Sequence, residues 1–254
     1  MTVFPHCEKH FFCFLYRITD FALPPFLQNT LAFLLNLWYT DIMIPAKGVF
    51  EMKPKQMKKL TRHFDRYFGQ TDSLVLHPIV DNGFHVDALL YEPTETYPFW
   101  KLATMGASDY RMPKIQNTFG LYNEYIMFVD RDENLGDKRV AVWYYGQLVR
   151  IASYAKFCNT HVTYGHSLEW EQDDPGDEMT AAFLELPQII RDSGILRCRL
   201  GWRKTVTCLQ VVLLNQAELG KLMEIGSQAF SEYLYPEAEG KKHFLSERHR
   251  TEKF

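Results

Sequence analysis

Thr205-Val-Thr-Cys-Leu-Gln-Val-Val-Leu-Leu-Asn-Gln-Ala-Glu218 carries both halves of the fold in one stretch. Its first ten residues are an almost unbroken apolar run rich in Val and Leu, which predicts a strand buried on both faces of a sheet. Asn215 then stands three residues before Glu218. An Asn at that spacing can accept the third helical amide while the glutamate reaches back to the first, the reciprocal pattern that starts a helix. The pattern predicts a helix over 216–234 with Leu219, Leu222, Met223 and Phe230 turned inward.

Upstream, the same two periods alternate. Met57, Leu60, Phe64, Tyr67 and Phe68 recur at helical spacing, with Gly69 placed to end the helix. Residues 74–80 and 84–91 predict two strands joined by an Asp81-Asn-Gly83 turn, because Asn-Gly tolerates positive φ. Residues 99–105 and 122–129 supply two more strands. Apolar residues at 140, 144, 148, 151 and 155 mark a second helix, and shorter strands are expected within 160–170, 181–186 and 195–200. This order predicts an α+β fold: a mixed, largely antiparallel sheet packed with about three helices in a single domain.

The chain has 254 residues and a formal net charge of −3, so it has no global field for nucleic acid, and no nucleic-acid partner is expected. Cys7, Cys13, Cys158, Cys198 and Cys208 are odd in number and show no C-x-x-C spacing, which argues against a disulfide framework and for a cytoplasmic protein. Residues 21–40 carry no charge, and 31–38 are densely apolar. Pro24, Pro25, Gln28, Asn29 and Asn36 interrupt that run, and it lacks both the basic lead-in and the cleavage site of a signal peptide. Three readings stay open for it: an extension irrelevant to the fold, a helix packed on the domain, or a membrane anchor at 21–40. The division expected is an apolar extension at 1–51, a domain at 52–239 and a charged, frayed tail at 240–254.

Several residues invite a chemical reading. A hydrolase using His85, Asp87 and Ser108 is one, but a nucleophile elbow needs Gly-x-Ser-x-Gly, and Gly106-Ala-Ser108-Asp-Tyr110 lacks the second glycine. His85 and Asp87 alternate along a strand and share a face, which also suits a polar pair that anchors the strand to a neighbouring turn. Cys158, His161 and His166 follow no established zinc spacing. No metal site and no cofactor are expected. Residues 169–178 hold six acidic side chains in ten, Glu169, Glu171, Asp173, Asp174, Asp177 and Glu178, with Trp170 among them. That run is either a solvated loop or a negative rim for a basic partner.

Several blocks resemble the Suppressor of fused domain. They are His85-Val-Asp-Ala-Leu-Leu-Tyr-Glu-Pro-Thr, then Pro98-Phe-Trp-Lys-Leu-Ala-Thr-Met-Gly-Ala-Ser108 with Met112-Pro113, then Tyr122-Asn-Glu124, although the family often has another residue where Asn123 stands. The stretches 143–154, 162–168 and 209–234 look like the family's central helix, its Gly-His turn, and its closing strand and helix. The resemblance covers about residues 54–235 and makes His85, Asp87, Thr104, Gly106, Ser108, Glu124 and Trp143 signature residues of the scaffold. It implies a non-catalytic protein-binding domain. In animals the family's namesake holds transcription factors, and stand-alone bacterial copies look like immunity or antitoxin-like proteins that neutralise a cognate toxin. The candidate partner-binding residues are Glu169, Trp170, Glu171, Asp173, Asp174, Asp177 and Glu178. The alternatives are the hydrolase and a peptide-binding regulator that acts by strand addition.

Overall fold

The computed structural model describes residues 52–70, 75–78, 83–115, 120–172, 176–235 and 243–250. The readings offered for 1–51 and the Asp81-Asn82 part of the predicted hairpin turn lie outside these residues. Among the described residues, three helices, α1 (Pro54–Phe68), α2 (Lys138–Phe157) and α3 (Gln216–Leu234), accompany eight strands. The strands are β1 (Val75–Leu76), β2 (Asp87–Tyr91), β3 (Trp100–Met105), β4 (Asn123–Val129), β5 (Ser167–Glu169), β6 (Ala181–Glu185), β7 (Arg197–Arg199) and β8 (Thr205–Leu214). They form one mixed sheet in the order β1-β2-β3-β4-β8-β6-β5, with β7 also paired to β8. All pairings are antiparallel except that of β4 with β8. This is the α+β domain that the sequence predicts.

β8 explains why its sequence is apolar without alternation. Val206, Cys208, Val212 and Leu214 join one core with residues of α1 and α3, while Leu209, Val211 and Leu213 join a second core with residues of α2. A strand covered on both faces needs apolar side chains on both. The two cores also divide β4, with Ile126 and Phe128 in the first and Tyr125, Met127 and Val129 in the second. Each fully buried ring such as Phe64, Phe128 or Phe183 contributes roughly 1.5–3 kcal/mol over an exposed one.

The helix starts obey the sequence. Asn215 Oδ1 accepts the Glu218 amide at 2.8 Å, and Glu218 Oε2 accepts the Asn215 amide at 3.1 Å. Leu219, Leu222 and Phe230 are buried as expected, but Met223 is 49% exposed. The inward stripe of the first turns runs through Leu219 and Leu222 and leaves Met223 at its margin, and the helix breaks farther on, at Gly226, where φ is 84°. The strands expected within 160–170 and 195–200 shorten to β5 and β7, the latter preceded by a 3-10 turn at Ser193–Leu196.

The tail expected to fray is packed across 243–250. Phe244 and Leu245 enter the first core, and Gln210 of β8 donates to Phe244 O at 3.1 Å. The Ser246 amide donates to Phe128 O at 2.8 Å, which extends the β4 ladder. Arg250 is buried and donates to Glu218 Oε1 at 2.6 Å and to Leu245 O at 2.5 Å. Glu218 thus caps α3 and neutralises Arg250 at once. The charges in this segment suggested solvent, but its most deeply buried cation already has a carboxylate waiting on α3.

Candidate functional site

The turn after β3 is built around a carboxylate. Glu124 of β4 is fully buried, and its Oε2 accepts Thr104 Oγ1 at 2.6 Å. Its Oε1 accepts the amides of Gly106 and Ser108 at 3.1 and 3.0 Å. Thr104 Oγ1 in turn accepts the Tyr125 amide at 2.7 Å. Thr-x-Gly-x-Ser is therefore the sequence of a loop that curls its own donors onto one acidic group. Burial pushes the Glu124 carboxyl up to about 7, against the pull of these hydrogen bonds. Ser108 is fully buried, and its Oγ makes no hydrogen bond to His85. The structure does not bring the three proposed hydrolase residues together as a triad.

Gly106 has a second task. Its φ is +121°, and a Cβ there would stand 2.5 Å from the carbonyl oxygen of His85. Only a residue without a side chain lets the chain entering β2 lie against this turn. The entering segment is fixed by α2 as well, since Tyr145 Oη donates to Val86 O at 2.7 Å and Lys156 Nζ to Gly83 O at 2.5 Å. At the head of β2, Asp87 holds His85 Nε2 and His77 Nδ1 on one oxygen, each at 2.8 Å. His85, Asp87, Gly106 and Asp109 line a cleft of about 170 Å³ together with Met52, Met57 and Met105. The predicted hairpin already sets the strand of His77 beside β2, but the turn sequence alone does not mark the register, Leu76 opposite Ala88, that brings His77 to Asp87.

Cys158, His161 and His166 do not form a group that could converge on an ion. Cys158 lies at the end of α2, and buried His161 has Nδ1 3.1 Å from Pro113 O. His166 is half-buried, and its pKa is lowered chiefly by burial. Among the described residues, the group able to converge on an ion is His77, His85 and Asp87.

The acidic run splits into two kinds of residue. Glu169, Glu171 and Glu178 are exposed. Asp177 faces inward, where it accepts Trp143 Nε1 at 3.0 Å and stands 3.8 Å from Arg248. An aspartate that satisfies a buried indole is held too deep to belong to an accessible rim. Trp170 is half-buried against the second core, with the Arg150 guanidinium 5.2 Å from its ring centroid. Gln216 donates to Glu169 at 3.2 Å, and Asp173 and Asp174 lie outside the described residues. The exposed acids of the run are therefore Glu169, Glu171 and Glu178, the last 3.9 Å from His249, beside a half-buried tryptophan near β5.

Comparison with known proteins agrees with this architecture. The family model described as Suppressor of fused protein matches residues 83–245, and so reaches into the packed C-terminal segment. Solved structures share the fold at low identity. One titled as the Sufu-Fu complex has a TM-score of 0.55 and 12% identity, over 79% of this chain and 93% of that one. Drosophila Suppressor of Fused has a TM-score of 0.57 and 14% identity, over 80% of this chain and 52% of its own. A homologue from Neisseria gonorrhoeae has a TM-score of 0.52 and 11% identity, over 77% of this chain and 95% of its own. No curated protein sequence matches. No helix among the described residues is long and apolar enough to cross a membrane.

Proposed function

This chain belongs to the Suppressor of fused family, and from that membership we propose that it is a cytoplasmic, non-catalytic binding protein of the immunity or antitoxin kind, which neutralises a cognate toxin by direct contact. The observation that carries the proposal is how the signature residues are used. Thr104, Gly106, Ser108 and Glu124 close one buried turn, and Trp143 ties Asp177 to α2. None of these presents a nucleophile to solvent, so the signature supports a scaffold. The family neighbour titled as a complex with Fu is another support, since it shows this fold at work on a protein partner in that case.

The binding surface we favour is the exposed part of the acidic run. Glu169 and Glu171 flank Trp170 in the chain and Glu178 is exposed on the segment that leads into β6, and a toxin that acts on nucleic acid needs a basic groove for such a surface to fill. The rim charges set the encounter rate and the salt dependence, while the tryptophan supplies desolvated area. The test is co-purification with the toxin encoded beside this chain. Changing Glu171, Asp173 and Asp174 to Lys weakens capture if the rim binds, and full capture by that variant removes the rim from the account.

A second mode has one observation in its favour. β5 ends the sheet beside this surface, and an extended peptide could add to it by backbone hydrogen bonds. Capture of a linear peptide from the partner, unaffected by the charge reversals, would select this mode.

A further inference from the structure

We propose that His77, His85 and Asp87 form a binding site for one divalent first-row transition ion of the zinc class. Both imidazoles reach the same Asp87 oxygen at 2.8 Å, and the three potential ligand atoms all lie within 4.8 Å of one another. In a tetrahedral site with bonds near 2.1 Å, neighbouring donors stand about 3.3–3.5 Å apart. The two histidine nitrogens therefore need to draw back from the carboxylate by about half an ångström to admit an ion at the point where they converge. Two imidazoles with one carboxylate suit zinc, cobalt, nickel or ferrous iron better than calcium or magnesium, which prefer oxygen shells.

The scaffold holds this group with little freedom. The Asp87 side chain is only 5% exposed, and its backbone is locked in the ladder opposite Met105. His85 is placed by the contact of its carbonyl with Gly106, and the flanking segment by Tyr145 and Lys156. The His77 side chain is 63% exposed and follows the two-residue strand β1 at the sheet edge. An ion would staple that edge to β2.

Three protein ligands leave a fourth position. The cleft shared by His85, Asp87 and Asp109 gives that position room for a water or for a donor from a bound partner. Without an ion the same side chains form a His–Asp–His hydrogen-bonded bridge, and that is the competing account.

The experiment uses the full chain, freed of metal with a chelator and titrated with zinc chloride by calorimetry, with cobalt absorption as a second readout. The site predicts one equivalent of ion that disappears, or weakens by roughly 10-fold or more, in His77→Ala and in His85→Ala. A Cys158→Ser variant retains it. His77 is exposed, so its variant keeps the fold, which circular dichroism checks. Absence of zinc binding by the unaltered chain overturns the proposal in favour of the ion-free bridge. Unchanged stoichiometry and affinity in the double histidine variant also overturn it, by placing any bound ion elsewhere.

Discussion

Glu124 makes this fold sensitive to pH in a direction opposite to most carboxylates. Burial raises its carboxyl from 4.5 to about 7, so the folded chain holds the proton more tightly than the unfolded one. The stability this group contributes is full below pH 4.5 and is lost as pH rises through 7. A gap of about 2.5 units corresponds to on the order of 3 kcal/mol between pH 4.5 and pH 8. His63 and His166 work the other way, because burial lowers both below 6.5 and their contribution is lost as pH falls. The comparison that isolates Glu124 is therefore between the unaltered chain and Glu124→Gln, which cannot ionise. Urea unfolding followed by tryptophan fluorescence at pH 5, 6, 7 and 8 gives the midpoint at each pH, and an unchanged slope keeps the comparison valid. The unaltered chain should lose stability relative to Glu124→Gln as pH rises from 5 to 8. Parallel pH profiles for the two would refute the idea that a buried, protonatable carboxylate closes the turn.

Other perturbations follow from the same contacts. Gly106→Ala forces a Cβ to 2.5 Å from His85 O at a φ of +121°, and a loss of roughly 1–3 kcal/mol is expected in the unfolding midpoint. Arg250→Ala leaves Glu218 charged and buried without its partner, which should cost about 3–5 kcal/mol, whereas replacing both by apolar residues should cost much less. Phe244→Ala should cost about 3–5 kcal/mol if 243–250 is part of the core, and almost nothing if it is a solvated tail. Association with a partner through Glu169, Glu171 and Glu178 should slow as ionic strength rises, in stopped-flow or surface-plasmon measurements, because rim charges act through long-range steering.

Where local signals agree, the sequence predicts this structure residue by residue. β8 and α3 are legible because a strand of Val and Leu runs straight into a capping box whose two hydrogen bonds are satisfied within four residues. The turn at 104–108 can be placed through its resemblance to a family. Its purpose depends on Glu124, which sits on the neighbouring strand and sends no signal into the turn's own sequence. Asp177 looks like one more acid in an acidic run, because its partners Trp143 and Arg248 are distant in the chain and neither marks it locally. His77 is hidden for a narrower reason: the hairpin that pairs its strand with β2 is predicted, but the register that brings it to Asp87 is not marked by any local residue. Arg250 and Phe244 were masked by their charged neighbours, although the carboxylate and the core that receive them lie on α3 and the central strands. The general pattern is that contacts within about four residues can be read from the chain, while contacts made by the sheet's order cannot.

On the function proposed above, this protein works by holding another and performs no chemistry at Ser108. That claim is tested most directly by mixing the purified chain with the toxin domain proposed as its partner and measuring complex formation and residual toxin activity together, for the unaltered chain and for Ser108→Ala. The account predicts a stoichiometric complex that suppresses toxin activity, unchanged by Ser108→Ala, because Ser108 contributes its backbone amide to Glu124. Substoichiometric, turnover-like inactivation that Ser108→Ala abolishes in a folded protein would contradict it.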